Sequence, residues 1–150
     1  MITLTKGDLF ESQAEALVNA VNCVGVMGKG IALQFKQRFP ENFRAYEEAC
    51  IFREVQIGEM FVTQPTEHGA PRWIVNFPTK NHWSNPSKLE FIEYGLKDLR
   101  RFLIEQKVQS VAIPALGAGL GGLDWKDVRR LIDKELAGLE TEIMVYEAIK

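Results

Sequence analysis

Two glycine-rich loops are the parts of this 150-residue chain best suited to chemistry: Asn22-Cys-Val-Gly-Val-Met-Gly-Lys-Gly30 and Ala115-Leu-Gly-Ala-Gly-Leu-Gly-Gly122. Each follows an apolar run and precedes a helical pattern. A helix N-terminus offers unpaired backbone N–H groups and the positive end of the helix dipole, and glycine lets that backbone approach an anion closely. Each unit therefore suits a phosphate, and two of them can hold the two sides of one diphosphate. The spacing matches neither GxGxxG nor a P-loop, because Gly28-Lys29-Gly30 lacks the following Ser/Thr. A third segment, Thr79 to Ser87, is a polar loop carrying Lys80, His82 and Trp83. Lys80 is either a solvated surface charge or, once deprotonated, an amine able to attack carbon. Asp8, just after the first apolar run, could accept from an exocyclic amine or simply cap a turn.

Other reaction classes find little support. No His/Cys/Asp/Glu cluster has metal-ligand spacing. His68 and His82 are too few and too far apart to argue for a triad, and the glycine loops are poor in the paired acids of ordinary glycoside hydrolysis. Cys23 and Cys50 have neither metal nor redox spacing and read as reduced thiols of a cytosolic protein.

The elements that must position these residues alternate between strand and helix. Ile2–Lys6 reads as an edge or half-buried strand and Ala16–Val21 as a buried one. Ile31, Ala32, Phe35 and Phe39 fall at helical offsets, and Pro40 stops that helix. Phe43, Tyr46 and Cys50 mark a short amphipathic helix. The segments 57–64 and 72–77 read as two strands able to form a hairpin, which would make the sheet mixed. Ser87-Lys-Leu-Glu90 reads as a capping box opening a helix through Leu89, Ile92, Leu96, Leu99 and Leu103 to near Gln106. Ser110–Ala115 is a buried strand. Asp124 should cap a helix with Val128, Leu131, Ile132 and Leu136 inward and Gly138 as its stop. Thr141–Tyr146 is the last strand. This alternation predicts one α/β domain of three layers.

Composition is that of an ordinary globule, with 46% hydrophobic and 25% charged residues and a net charge of −2. Any contact with nucleic acid must then use a local patch rather than a general basic character. The first residues have no signal-peptide architecture and no apolar run approaches membrane-spanning length, so the expected compartment is the cytoplasm.

Gly7-Asp8-Leu9, Val18-Asn-Ala-Val-Asn22, Gly25 to Gly30 and Gly117-Ala-Gly-Leu-Gly121 together resemble the macrodomain family of ADP-ribose binders, over nearly the whole chain. Met27 to Ala32 followed by Phe35-Lys36 is similar to the branch that removes ADP-ribose through a lysine. Asn76-Phe-Pro-Thr-Lys80-Asn-His-Trp83 narrows the likeness to DNA-directed ADP-ribosyl glycohydrolase antitoxins. The resemblance implies a three-layer α/β/α macrodomain with a mixed central sheet over residues 1–150, in a lineage that often carries a further C-terminal region. It implies ADP-ribose binding by Asp8 (at the adenine amino group), Leu9, Asn19, Ala20, Gly28, Lys29, Gly30, Ile31, Ala115, Leu116, Gly117, Ala118, Gly119, Leu120 and Gly121. Asn22 would meet the distal ribose as a catalytic residue. Lys80 would either attack C1 of that ribose and form a Schiff base, desolvated beneath Trp83 or Phe77, or stay charged as an acid or clamp. His82, Trp83 and Lys88, with Arg72 nearby in sequence, are the candidate contacts to single-stranded DNA.

The implied partners are ADP-ribosylated single-stranded DNA and a cognate ADP-ribosyltransferase toxin, with no cofactor, no metal and no membrane. The implied reaction removes ADP-ribose from thymidine. The alternatives are release of ADP-ribose from protein carboxylate esters or O-acetyl-ADP-ribose, and a reader that only binds. The ester-cleaving relatives carry an aspartate at the position of Gly121, so a lysine–aspartate pair of that kind is in doubt here.

Overall fold

A computed structural model describes residues 1–147 of the chain. Its strands are β1 (Ile2–Thr5), β2 (Ala16–Val21), β3 (Phe61–Thr63), β4 (Trp73–Pro78), β5 (Ser110–Ile113) and β6 (Glu142–Tyr146). The α-helices are α1 (Gly30–Arg38), α2 (Pro40–Ile51), α3 (Leu89–Glu105) and α4 (Trp125–Glu135), and a 3-10 turn spans Leu9–Glu11. The strands form one sheet in the order β1-β6-β5-β2-β4-β3. All neighbours run parallel except β3, which pairs antiparallel with β4 at the edge. The expected hairpin and mixed sheet are therefore present.

Burial explains the layers. Every residue of β4, and all but Ala20 of β2, is buried, as expected for parallel strands covered on both faces. Alternate side chains face opposite layers. Ala16, Val18, Trp73, Val75, Phe77, Val111, Ile113, Ile143 and Val145 pack with the inner residues of α3 and α4. Leu17, Ile74 and Ala112 pack with Phe35 of α1, and Val21 packs with Tyr46 and Ala49 of α2. On that second side the interior is partly polar. Asn19 donates to Asn76 Oδ1 at 3.2 Å, Asn76 and Asn42 exchange bonds of 2.9 and 3.2 Å, and Thr63 donates to Asn42 Oδ1 at 2.6 Å. This network ties β2, β4, α2 and β3 together, and its three buried asparagines are shut off from water.

Most boundaries fall within a residue of the sequence reading, and three features differ by more. The strand expected over 57–64 pairs only at Phe61–Thr63, because a turn closed by Glu59 N–H to Gln56 O, with Gly58 at φ +87°, takes its first half. The strand expected to reach Ala115 ends at Ile113, since Pro114 has no N–H for the ladder. The capping box does not form. Lys88 is the N-cap of α3 with no side-chain cap bond, while the Ser87 N–H donates to Gly121 O at 3.0 Å and its hydroxyl lies buried without a partner. Asp124 does cap α4, accepting from Lys126 N at 2.9 Å, and Gly138 follows that helix at φ +76°.

Candidate functional site

The connections from β2 lead to β4 on one side of the sheet, whereas β5 leads to β6 on the other, so β2 and β5 border a topological switch point. Ligand crevices of open α/β sheets lie there, outside the carboxyl ends of the strands. A cleft of about 1490 Å³ opens at this place. Its lining comes from residues that follow β1 (Lys6 to Phe10), β2 (Asn22, Val26 and Gly28 to Ala32), β4 (Thr79, Lys80, Trp83) and β5 (Pro114, Ala115, Gly117 and Gly119 to Gly121), and from Tyr146 and Glu147 at the end of β6. From β1 to β4 is four strand spacings, or about 19 Å at ~4.8 Å each. The cleft runs across these strand ends, with distinct chemistry along it.

At the β1 end stand Asp8, Leu9, Phe10, Ile31 and Tyr146. Asp8 Oδ1 accepts from Phe10 N at 2.9 Å, capping the 3-10 turn, and Oδ2 lies 4.0 Å from Arg38. The bland role of the carboxylate is thus real, and it lines the cleft as well. Both glycine loops occupy the middle. Lys29 is the N-cap of α1 and makes no side-chain cap bond, so the first-turn N–H groups stay available, and Gly30 takes φ +57°, where a side chain would be strained. Opposite, the loop after β5 is closed by Ala118 N–H to Ala115 O and Leu123 N–H to Gly117 O. Among the described residues, the N–H groups of Gly117, Gly119, Leu120 and Gly121 have no carbonyl partner. A cradle of free N–H groups faces a free helix N-terminus.

At the β4 end, Lys80 Nζ donates to Trp83 O and Leu120 O, both at 3.4 Å. The amine is therefore bracketed by two residues whose side chains are exposed, Trp83 at 57% and Leu120 at 66%. Among the described residues no carboxylate lies within 4 Å of Lys80 Nζ. Lys80 and Gly121 share one scaffold, because the Ser87 N–H to Gly121 O bond ties the 79–88 loop to the glycine loop. Asn22, only 7% exposed, lines the cleft between the loops. Its Oδ1 accepts from Val24 N, Val26 N and the Tyr46 hydroxyl at 3.0, 3.4 and 2.8 Å, and its Nδ2 donates to Val26 O at 2.8 Å.

Several expected residues stand elsewhere. Asn19 is fully buried and bonded to Asn76 and to Met27 Sδ, so it props the first glycine loop from inside and does not line the cleft. Leu116 and Ala118 likewise turn toward the α3–α4 layer rather than the cleft. His82 is away from the lining; its Nδ1 pairs with Ser84 Oγ at 2.7 Å and its ring stacks on Trp83 at 5.0 Å. Lys88 extends over the Phe91 ring on α3, and Arg72 lies over Trp73 at the opposite end of β4 from the cleft. Phe77 points into the α3 layer, so it cannot desolvate Lys80. Gly121 has no room for a side chain, so the aspartate considered at this position from the resemblance would not fit: a Cβ would meet Gly117 O and Ser87 Oγ at 2.5 Å.

The sequence reading missed Lys6, Phe10, Thr79, Pro114, Trp125, Tyr146 and Glu147 as lining residues. Most immediately follow parallel strands, and that was the available signal. Among the described residues no group of three or more His, Cys, Asp or Glu gathers as a metal site, and no helix is long and apolar enough to cross a membrane.

Comparison with known proteins meets this geometry. The Macro domain family profile matches residues 18–132. A Mycobacterium tuberculosis protein described as a DNA ADP-ribosyl glycohydrolase is 59% identical over 97% of this chain, which spans 42% of that relative's length. The solved macrodomain of Mycobacterium tuberculosis DarG superposes with a TM-score of 0.97 at 53% identity, covering 99% of both chains. A Thermosipho africanus DarTG structure in complex with ADP-ribose superposes at a TM-score of 0.91 and 35% identity, over 99% of this chain and 43% of that one.

Proposed function

The chain belongs to the Macro domain family, and from that premise we propose that it is a hydrolase removing ADP-ribose from thymidine bases of single-stranded DNA, reversing a toxin's modification. The reading is supported by relatives described as DNA ADP-ribosyl glycohydrolases, by the related DarTG structure in complex with ADP-ribose, and by the order of chemistry along the cleft. Asp8, Leu9 and Ile31 take the adenosine end. The diphosphate lies between the α1 N-terminus and the N–H groups of residues 117–121, where anions are favoured. The distal ribose then reaches Asn22, and its C1 comes to Lys80.

One observation carries the assignment: Lys80, the cleft-lining amine at the β4 end among the described residues, is flanked by an exposed indole. Trp83 offers a face on which an unstacked base can lie, which a duplex would not present. In the reaction the C1–N bond to the base breaks, and the base nitrogen takes the electron pair and a proton. The neutral Lys80 amine bonds C1 and gives up a proton; the bond from C1 to the ring oxygen then opens, that oxygen taking a proton, to leave an iminium. Water adds to C1, the bond to lysine breaks, and the ring closes again on C1. For that attack Lys80 must shed a proton and leave its two carbonyl partners; kept charged, it would serve as the acid that protonates the departing base. Cleavage of protein esters is disfavoured by the lack of space at Gly121 for that aspartate. This reading makes residues 1–150 one catalytic domain of the cytosol, with an ADP-ribosyltransferase toxin as its functional counterpart.

The test is incubation with a single-stranded oligonucleotide carrying ADP-ribosylated thymidine, wild type beside Lys80→Ala, read by mass spectrometry. Wild type alone should release free ADP-ribose and intact oligonucleotide. If neither protein changes the oligonucleotide while both bind ADP-ribose, a reader or an ester-cleaving enzyme replaces this proposal.

A further inference from the structure

Tyr46 sits on α2 with no exposed surface, in the cluster formed by Val21, Met27, Ala49 and Val55. Packing alone would accept phenylalanine there, since a buried hydroxyl is costly unless it is bonded. The hydroxyl lies 2.8 Å from both Asn22 O and Asn22 Oδ1. Burial, with the Cys50 thiol as the next contributor, holds the phenol well above its ordinary pKa, so it stays a donor. We propose that Tyr46 is a positioning residue, locking the Asn22 amide so that it meets the ligand's terminal sugar as a hydrogen-bond donor only.

The amide has one workable orientation. Val24 N–H and Val26 N–H point at Oδ1 from the backbone and cannot turn round. A flipped amide would set its own NH2 against both, and these two N–H groups fix the orientation that the Tyr46 hydroxyl then braces. With Oδ1 filled by three donors and one Nδ2 proton given to Val26 O, a single N–H is left for the cleft. That group can bond a sugar hydroxyl or ring oxygen through a lone pair. It cannot take up a proton, so Asn22 orients the sugar over Lys80 and is not a base. Tyr46 holds this state from beneath, its one hydroxyl proton shared between the side-chain and main-chain oxygens of the same residue.

The inference rests on the proposed placement of the terminal sugar beside Asn22, and a four-protein cycle tests it: wild type, Tyr46→Phe, Asn22→Ala and the double variant. Each is assayed for release of ADP-ribose from the modified oligonucleotide and for ADP-ribose affinity by calorimetry. Loss of one hydrogen bond of ordinary strength corresponds to about fivefold. Tyr46→Phe should lower kcat about fivefold in the wild-type background and less than about twofold in the Asn22→Ala background. Asn22→Asp, which keeps the oxygen facing Val24, Val26 and Tyr46 but loses the N–H, should be no better than Asn22→Ala. An equal loss in both backgrounds would make Tyr46 merely structural, and no loss in either would remove its role. If wild type releases nothing, the proposed reaction is wrong. The same cycle is then read on the ADP-ribose Kd, where additivity overturns the inference independently.

Discussion

Gly119 and Gly121 lie two residues apart in one loop, and the structure predicts opposite failures for them. A Cβ built on Gly119 meets nothing within 4 Å, and its φ is not in the left-handed region, so Gly119→Glu should leave the fold intact. The residue lines the cleft where the diphosphate is proposed to lie. A carboxylate about 6 Å from each phosphate charge, at an effective dielectric of about 40, opposes binding by roughly 1.4 kcal/mol per charge. Two charges give about 3 kcal/mol, or about a hundredfold weaker ADP-ribose binding. Gly119→Ala, with a methyl in open space, should stay within about twofold. A Cβ on Gly121 instead strikes Gly117 O and the buried Ser87 Oγ. Overpacking of that kind costs about 2 kcal/mol, roughly 4–8 °C in Tm for a chain of this size. Calorimetry with ADP-ribose and thermal unfolding read the two effects separately. Unchanged ADP-ribose affinity in a folded Gly119→Glu protein would refute the placement of the phosphates on this loop.

Trp83→Ala should weaken binding of the modified oligonucleotide about tenfold, a typical stacking loss, while ADP-ribose affinity stays within about twofold, because the indole is mostly exposed. Equal effects on both ligands would argue against base stacking. Asn76→Ala leaves Asn42, Asn19 and Phe61 O without their partner and should cost about 3 kcal/mol in urea unfolding with an unchanged m value. Burial, assisted by the neighbouring Cys50, pushes the Cys23 thiol up from 9.0 to about 11, against a lowering bond from the Ile57 backbone. The folded state thus holds this proton more tightly than the unfolded chain. Its contribution to stability is full below about pH 9 and is lost as pH rises through about 11. The stability difference between wild type and Cys23→Ala should shift against wild type over that window, and a constant difference would sink the assignment.

Much of the fold was legible because it rests on local rules. The apolar run at Ala16–Val21, the change to helical offsets after Lys29, the Pro40 stop and the Asp124 cap all recur in the structure. The Gly58 turn and the Pro114 stop are local signals that the reading passed over, whereas the remaining failures lie in long-range contacts. Ser87 looked like a cap because Glu90 follows at the right spacing, yet its N–H is engaged by Gly121, which is adjacent only in space. Asn19 and Asn22 are three residues apart and read alike, but one faces the interior network and the other the cleft.

The sequence by itself determined the two glycine loops, the lysine loop and the alternation that puts helices on both faces of a parallel sheet, since composition and periodicity act within a few residues. Tertiary structure decided the rest. Strand order brought Lys6, Asp8, Asn22, Lys80, Gly119 and Tyr146, from five separate strands, along one edge of the sheet. It also set Tyr46 beneath Asn22 and Ser87 beneath Gly121. The physical reason is that hydrogen bonds and close packing are satisfied between whichever groups folding brings within about 3 Å, and separation along the chain carries no record of that distance.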